Sequence, residues 1–488
     1  MKRIVHGLLA ALVIVGSATA TTHTNKSFFA PRPHNPNLAM EQTTWHKQTA
    51  LIDDDKFCGT IQATGFYDNS QNEKDLGQFF GVTNTRNSNS IDDFIDVASF
   101  LAYGAGGNPA KVHLITEDLF HNHNYTTQKS KLADKIMLRP DHESYGLRLD
   151  YHQKLDNFIK GLFFKVTMPI VHAKTSLGYS STAATPNKQL LAKGGTLSGA
   201  SKSLTDFLTG NVANTDAHDK QGALTKMKWH NSNSETGIAD IDVTLGYNFL
   251  YKNDRHANVN IGLTIPTGND PDGNFLWEAV VGNGGHWALG AGVDAGFQIW
   301  KDEDKSLDIL FAANYRYLFE SDEKRCPDFT PTTTSGNTHK MFSRYILGGK
   351  LNQAGGTALV PLANLITRDF DVTPGSQFDG MIDLAFNWGN WTFDLGYNLF
   401  AKEQEDIDWT GAEINNIYAV SSWGYDTANK FDTVAPINNA IAIPKTAYDL
   451  GSITHPSVLT HKIFGGVGHA FNSWEYPLML GVGGSWEF

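Results

Sequence analysis

Long stretches of the chain alternate apolar residues with small or polar ones, the period of an extended strand whose two faces meet different surroundings. In 241–251 the odd positions are Ile241, Val243, Leu245, Tyr247, Phe249 and Tyr251, and the even ones Asp242, Thr244, Gly246 and Asn248, with Leu250 as the exception. Lys252-Asn253-Asp254-Arg255 then turns the chain, and Val259, Ile261, Leu263 and Ile265 alternate with Asn258, Asn260, Gly262 and Thr264. The pattern predicts a hairpin. A second one carries Trp287, Leu289, Ala291, Val293, Ala295, Phe297 and Ile299 on one face, reverses at 301–305, and returns with Leu307, Ile309, Phe311, Ala313, Tyr315, Tyr317 and Phe319. Further on, Gly389-Asn390 joins 378–388 to 391–400 by a two-residue turn that keeps the register. Weaker alternation runs through 59–67, 145–152, 158–170 and 343–351.

A soluble β-sandwich would also alternate, but three features oppose it. Several predicted strands are about 11 to 14 residues long, enough to cross a bilayer at a tilt and longer than strands of soluble sheets. Aromatic residues gather near strand ends, with Tyr247, Tyr251, Trp300, Trp388, Trp391 and Trp486 as candidates for the membrane interface. The face opposite the apolar one carries glycine and ionisable residues, which suit a wet lumen and would ruin a sandwich core.

Composition sharpens this picture. The chain has 488 residues, 41% of them hydrophobic and 18% charged, with 46 glycines. That composition excludes a disordered polymer, and no apolar run reaches the roughly 18 residues a spanning helix needs, so membrane residence would have to be achieved with strands. A net charge of −12 argues against nucleic acid as a partner. Residues 1–20 read as a secretory signal, with Lys2 and Arg3 ahead of the apolar run 4–15 and Ala18-Thr19-Ala20 as the cleavage site. Two cysteines, Cys58 and Cys326, make no disulfide framework, and their pairing stays open.

The end of the chain adds a motif. Counting back from Phe488, the residues Trp486, Val482, Leu480, Leu478, Tyr476 and Trp474 share a face, broken only by Gly484. This segment resembles the C-terminal strand of bacterial outer-membrane β-barrel proteins, and the resemblance implies that Trp486 and Phe488 form a signal read by the barrel-assembly machinery. The long strands and the Ile265-Pro266-Thr267-Gly268 strand exit give the rest of the chain a looser similarity to porin-like and FadL-like barrels. The fold expected is therefore all-β, a transmembrane antiparallel β-barrel in the outer membrane of a bacterial cell. Residues 21–56 would form a periplasmic tail or a hatch, and 57–488 the barrel. Twelve strands are readable, and weaker ones at 357–366 and 413–424 raise the count to about fourteen, which moves the Gly389-Asn390 turn to the periplasmic end; sixteen is the upper alternative. Residues 91–103 have the apolar spacing of a short helix in a loop.

Inward-facing acids outnumber bases. Asp150, Asp240, Asp242, Asp294, Asp308, Asp379, Asp383, Asp394 and Glu475 stand against Arg148, Lys165, Arg316, Arg344 and Lys350. An open lumen so lined favours cations, whereas pairing across the wall would merely keep the interior wet. Asp270-Pro271-Asp272-Gly273-Asn274 looks like the start of a calcium loop, but Val281 stands where the closing glutamate belongs, so a plain turn is the reading. His121 and His123 lack a third ligand, and the glycines of 290–296 and 194–201 fit no nucleotide fingerprint. No catalytic constellation, metal or cofactor is expected. The function expected is a channel for small hydrophilic solutes. The alternatives are a FadL-like transporter of hydrophobic compounds, plugged by 21–56, and a surface barrel whose loops adhere. Lipid, the assembly machinery and small solutes are the expected partners, and the class also admits a homo-oligomer.

Overall fold

The computed structural model describes residues 26–43, 58–71, 134–183, 223–252, 254–329, 360–409, 448–473 and 477–488, with shorter pieces at 76–77, 79–80, 94–96, 208–211, 343–345, 347–350, 418–420 and 441–442. The protein is all-β. Its main sheet is antiparallel and contains β1 (Gly59–Asn69), β2 (Asp141–Lys154), β3 (Leu162–Ser176), β4 (Asn233–Ile238), β5 (Ile241–Lys252), β6 (Arg255–Ile265), β7 (Ala288–Asp302), β8 (Lys305–Leu318), β9 (Gly375–Trp388), β10 (Trp391–Lys402), β11 (Val458–Phe471) and β12 (Leu478–Glu487). Each strand pairs with its neighbour in chain order. The exception is that β4 and β5 both pair with β3, at 170–175 and 162–167 respectively. They are two parts of one stave, so among the described residues the sheet has eleven staves.

The break between β4 and β5 has a local cause. The Pro169 carbonyl accepts the Ala239 N–H, and in an antiparallel ladder the N–H of the same residue would face the same neighbour. Proline has none, so the ladder lapses there. Thr267 fills the gap, its hydroxyl donating to the Ala239 carbonyl.

Outward positions are apolar and exposed, as in Leu245, Ile261, Val293, Phe311, Ile382 and Leu395. Inward positions are polar and buried: Arg148, Asp150, Asp379, Asp383 and Asn398 are at most 3% exposed. Contacts with one inner segment from β2, β3, β9, β10 and β12 require the sheet to curl, and Asp68 of β1 lies within electrostatic reach of Lys462 on β11 and Glu487 on β12. Among the described residues no helix is long and apolar enough to cross a membrane.

Short connections lie at one end of the sheet, at 155–161, 253–254, 303–304, 389–390 and 472–477; the long ones, 70–140, 177–232, 266–287, 319–374 and 403–457, lie at the other. Several expectations are corrected here. The stretch 343–351 forms a 3-10 turn, Ser343–Tyr345, and a short strand, Leu347–Lys350, in a separate four-stranded sheet. Around 357–366 the chain makes Val360–Pro361, in that same small sheet, and the helical turn Ala363–Ile366; Tyr418–Val420 also joins the small sheet. None of these is a stave. Removing the one at 343 reverses the direction of every later strand, which is why Gly389-Asn390 sits with the short turns without any extra pair. Eleven staves also leave β1 and β12 running the same way, against the even count expected. At 91–103 the described part, Phe94–Asp96, is a strand and not a helix: its backbone pairs with Asp134–Met137, in the register Phe94 to Met137 and Ile95 to Ile136.

The described parts of the long connections pack into a cap with its own apolar core. Trp229, Trp277, Tyr345, Leu362, Ile366, Phe370, Trp409 and Tyr448 meet there, drawn from six separate stretches of chain. Cys326 is buried in the same core, and neither it nor Cys58 is bonded to the other. Burial pushes the Cys326 thiol up to about 12, so it stays protonated.

Candidate functional site

Residues 26–43 run from the cap into the hollow of the sheet. At the cap, Ser27 donates from its backbone to Ser452 and from its hydroxyl to the Cys326 carbonyl. Phe28 lies under the Arg325 guanidinium, and Phe29 packs on Phe79, Trp277 and His455. Beyond Pro31 and Pro33 the chain turns polar. Arg32 reaches Asp379 at 3.0 Å, Glu487 at 3.1 Å and the Asn398 amide oxygen at 3.0 Å, with its guanidinium over the Phe400 ring. One residue thereby ties β9, β10 and β12 together.

The helical turn α1 (Leu38–Gln42) follows, capped by the Asn37 side chain, which accepts the Met40 N–H. The Leu38 N–H donates to Asp379, and Leu38 and Ala39 pack on Ala312, Met381 and Phe464. From the other side of α1, Glu41 pairs with Arg148 at 3.1 Å and Lys165 at 2.5 Å. Arg148 also pairs with Asp150 at 2.9 Å and donates to the Asn35 carbonyl. Two ionic clamps on opposite walls, Arg32 on Asp379 and Arg148 on Glu41, therefore hold the segment across the bore.

The sequence-assigned lining residues fall as follows. Arg148, Asp240, Asp308, Asp379, Asp383, Asp394 and Arg316 are buried, with Lys165, Asp242 and Asp294 half-buried. Arg316 donates to Gln377, and Asp242 accepts from Thr264. Asp240, Asp242 and Asp383 make no ion pair among the described residues, whereas Asp150, Asp294 and Asp379 are engaged by Arg148, His256 and Arg32. Arg344 is not a lining residue: it pairs with Asp328 inside the cap at 2.7 Å. Lys350 lies in the small four-stranded sheet. Glu475, Trp474, Tyr476, His121, His123 and 194–201 fall outside the described residues.

Tyr247, Trp300, Trp388 and Trp391 are exposed and Tyr251 is half-buried, all toward the short-turn end, while Trp486 and Phe488 are exposed on β12 and just after it. The stretch 270–274 is a turn around a carboxylate: Glu278 accepts the backbone N–H groups of Asp272, Gly273, Asn274 and Phe275. A cation would have no place in that ring of donors. The glycines of 290–296 face the bore, where a side chain at Gly292 would strike Asn314 and Asn260, and one at Gly296 would strike His256.

Sequence reading had no account of Arg32 and Glu41, although two charged residues in a proline-broken stretch ahead of the first strand were a usable signal. What the arrangement can do is conduct or bind in a polar bore narrowed by a tethered segment. Compared with protein-family models and with curated proteins, the chain matches none.

Proposed function

We propose that this protein is an outer-membrane β-barrel that passes small hydrophilic solutes, with residues 26–43 as the element that narrows its bore. The observation that carries the reading is the inverted polarity of the wall. Side chains such as Ile261, Leu395 and Val482 stand 61%, 63% and 70% exposed, while Arg148, Asp379 and Asp383 are buried. An apolar surface that continuous is costly in water and is what lipid tails would cover. The signal-like residues 1–20 and the terminal Trp486 and Phe488 support export and handling by the barrel-assembly machinery. Trp300, Trp388 and Trp391 would sit at one headgroup layer.

The FadL-like alternative shares a plugging amino-terminal segment, yet the groups that face it here are Arg148, Lys165, Asp379 and Asn398. Such a lining favours hydrophilic traffic. Asp240, Asp242 and Asp383 make no ion pair among the described residues, and Asp242, the one of the three that is only half-buried, is best placed to raise the local cation concentration.

Planar-bilayer recordings test this. The mature protein should give a small cation-selective conductance, and deletion of 26–43 should enlarge it several-fold. Folded protein that carries no current in either form sinks the channel reading. Replacing Asp240 and Asp242 by asparagine should move the reversal potential toward zero, and an unmoved potential removes their role.

A further inference from the structure

Between α1 and the wall of β2, β3 and β5–β8 lies a hollow toward the short-turn end. We infer that it receives the vicinal hydroxyls at one edge of a neutral polyhydroxylated solute, an inference that rests on the transport reading and names its substrate class. The charges around the hollow are already engaged. Asp294 accepts from Asn258 at 3.1 Å and faces His256 Nε2 at 3.0 Å, and Glu41 is held by Arg148 and Lys165. An ion entering would have to displace one of these partners.

What the hollow offers freely is amide. The Asn258 Oδ1 atom is buried with no hydrogen-bond partner. Asn260 and Asn314 converge over Gly292, and neither side chain makes a hydrogen bond among the described residues. Asn248 and Thr244 complete the polar side, and the Phe163 ring gives one apolar face. Each amide presents a donor and an acceptor side by side. Vicinal hydroxyls, each also donor and acceptor, match that array, and a site built to hydrogen-bond hydroxyls discriminates strongly against solutes that lack them. Gly292 is the residue that makes room, since any Cβ there would lie 2.0 Å from the Asn314 amide oxygen and 2.7 Å from that of Asn260.

Calorimetric titration of the mature protein in detergent micelles with D-glucose, D-galactose and N-acetylglucosamine tests the inference, with calcium chloride and sodium phosphate as ionic arms. Saturable binding of at least one sugar is expected, weakened tenfold or more in the Asn260→Leu/Asn314→Leu protein. Folding is checked by heat-modifiable gel mobility; if that protein does not fold, Asn260→Ser and Gly292→Ala replace it and should weaken binding in the same direction. Absence of saturable binding by all three sugars, binding unaffected by the substitutions, or binding of the ions instead overturns the site. Conductance without sugar binding rejects this site and leaves the channel. Sugar binding without conductance, even after deletion of 26–43, rejects the channel and leaves the site.

Discussion

Arg148 shows how much a single buried side chain can carry. It is 1% exposed and serves Glu41, Asp150 and the Asn35 carbonyl at once, so it links the inner segment to β2. Truncating one member of such a cluster leaves the others charged and dry, at a cost of about 3–5 kcal/mol. Arg148→Met should therefore destabilise the fold by that order, read as a lower urea midpoint. Glu41→Gln keeps the shape and a hydrogen-bonding group, and should cost less. That Arg148 and the acids Asp240, Asp379 and Asp383 lie on the inner face was legible from alternation alone, because a period of two assigns each residue to a side. Their partners were not legible. Whether Asp379 meets an arginine depends on where residue 32 comes to rest, and no local pattern records that.

At the scale of elements, glycines opposite rings leave those rings room to lie flat along the wall. In the paired positions Gly246 and Phe163 of β5 and β3, and Gly396 and Phe464 of β10 and β11, the ring lies over the glycine, so a Cβ would come within 2.0 and 2.2 Å of it. Gly246→Ala should destabilise by about 1–3 kcal/mol through overpacking. Combining it with Phe163→Leu should recover part of the loss, a coupling that a double-mutant cycle measures. At Gly484 an added methyl group would meet nothing within 4 Å, so alanine should be accepted there with little change. The hairpins β5–β6, β7–β8 and β9–β10 were readable in advance because each strand is long and its turn short. The staves were miscounted where the chain is short of alternation, at 343–351, 357–366 and 413–424. In the first two of these Tyr345, Leu362 and Ile366 serve the cap core, whose members come from distant loops and share no period.

For the molecule as a whole, the cap is where acidity should act. Glu405 is buried against Arg325 and Lys402 and accepts the His455 N–H. Burial opposes its charge, but those cations outweigh it and hold the carboxyl down to about 2, against an ordinary 4.5. A folded-state value below the unfolded one means that this stabilisation is complete above about 4.5 and fades as pH falls toward 2. Between pH 5 and 3 the cap should become more susceptible to protease, and Glu405→Gln, already less stable at pH 7, should lose part of that dependence. Equal acid sensitivity in both proteins would place the titrating group elsewhere. The β-barrel type of sheet was foreseeable from the strand lengths and the two-faced pattern. Whether residues 26–43 enter the interior could not be decided from the pattern, because a segment of 18 residues with three prolines and one helical turn has no periodicity to read.

The order of the chain has a consequence for assembly. The ribbon that lies inside, 26–43, precedes in the chain every stave that surrounds it. It begins among the cap loops and ends toward the opposite rim, where β1 starts, so it traverses the hollow of the curled sheet lengthwise. An assembly that followed chain order would wind the staves about a segment already within reach, like tape on a spindle. Supplied later as a separate peptide, the same ribbon would face a sheet already curled and have to thread its hollow.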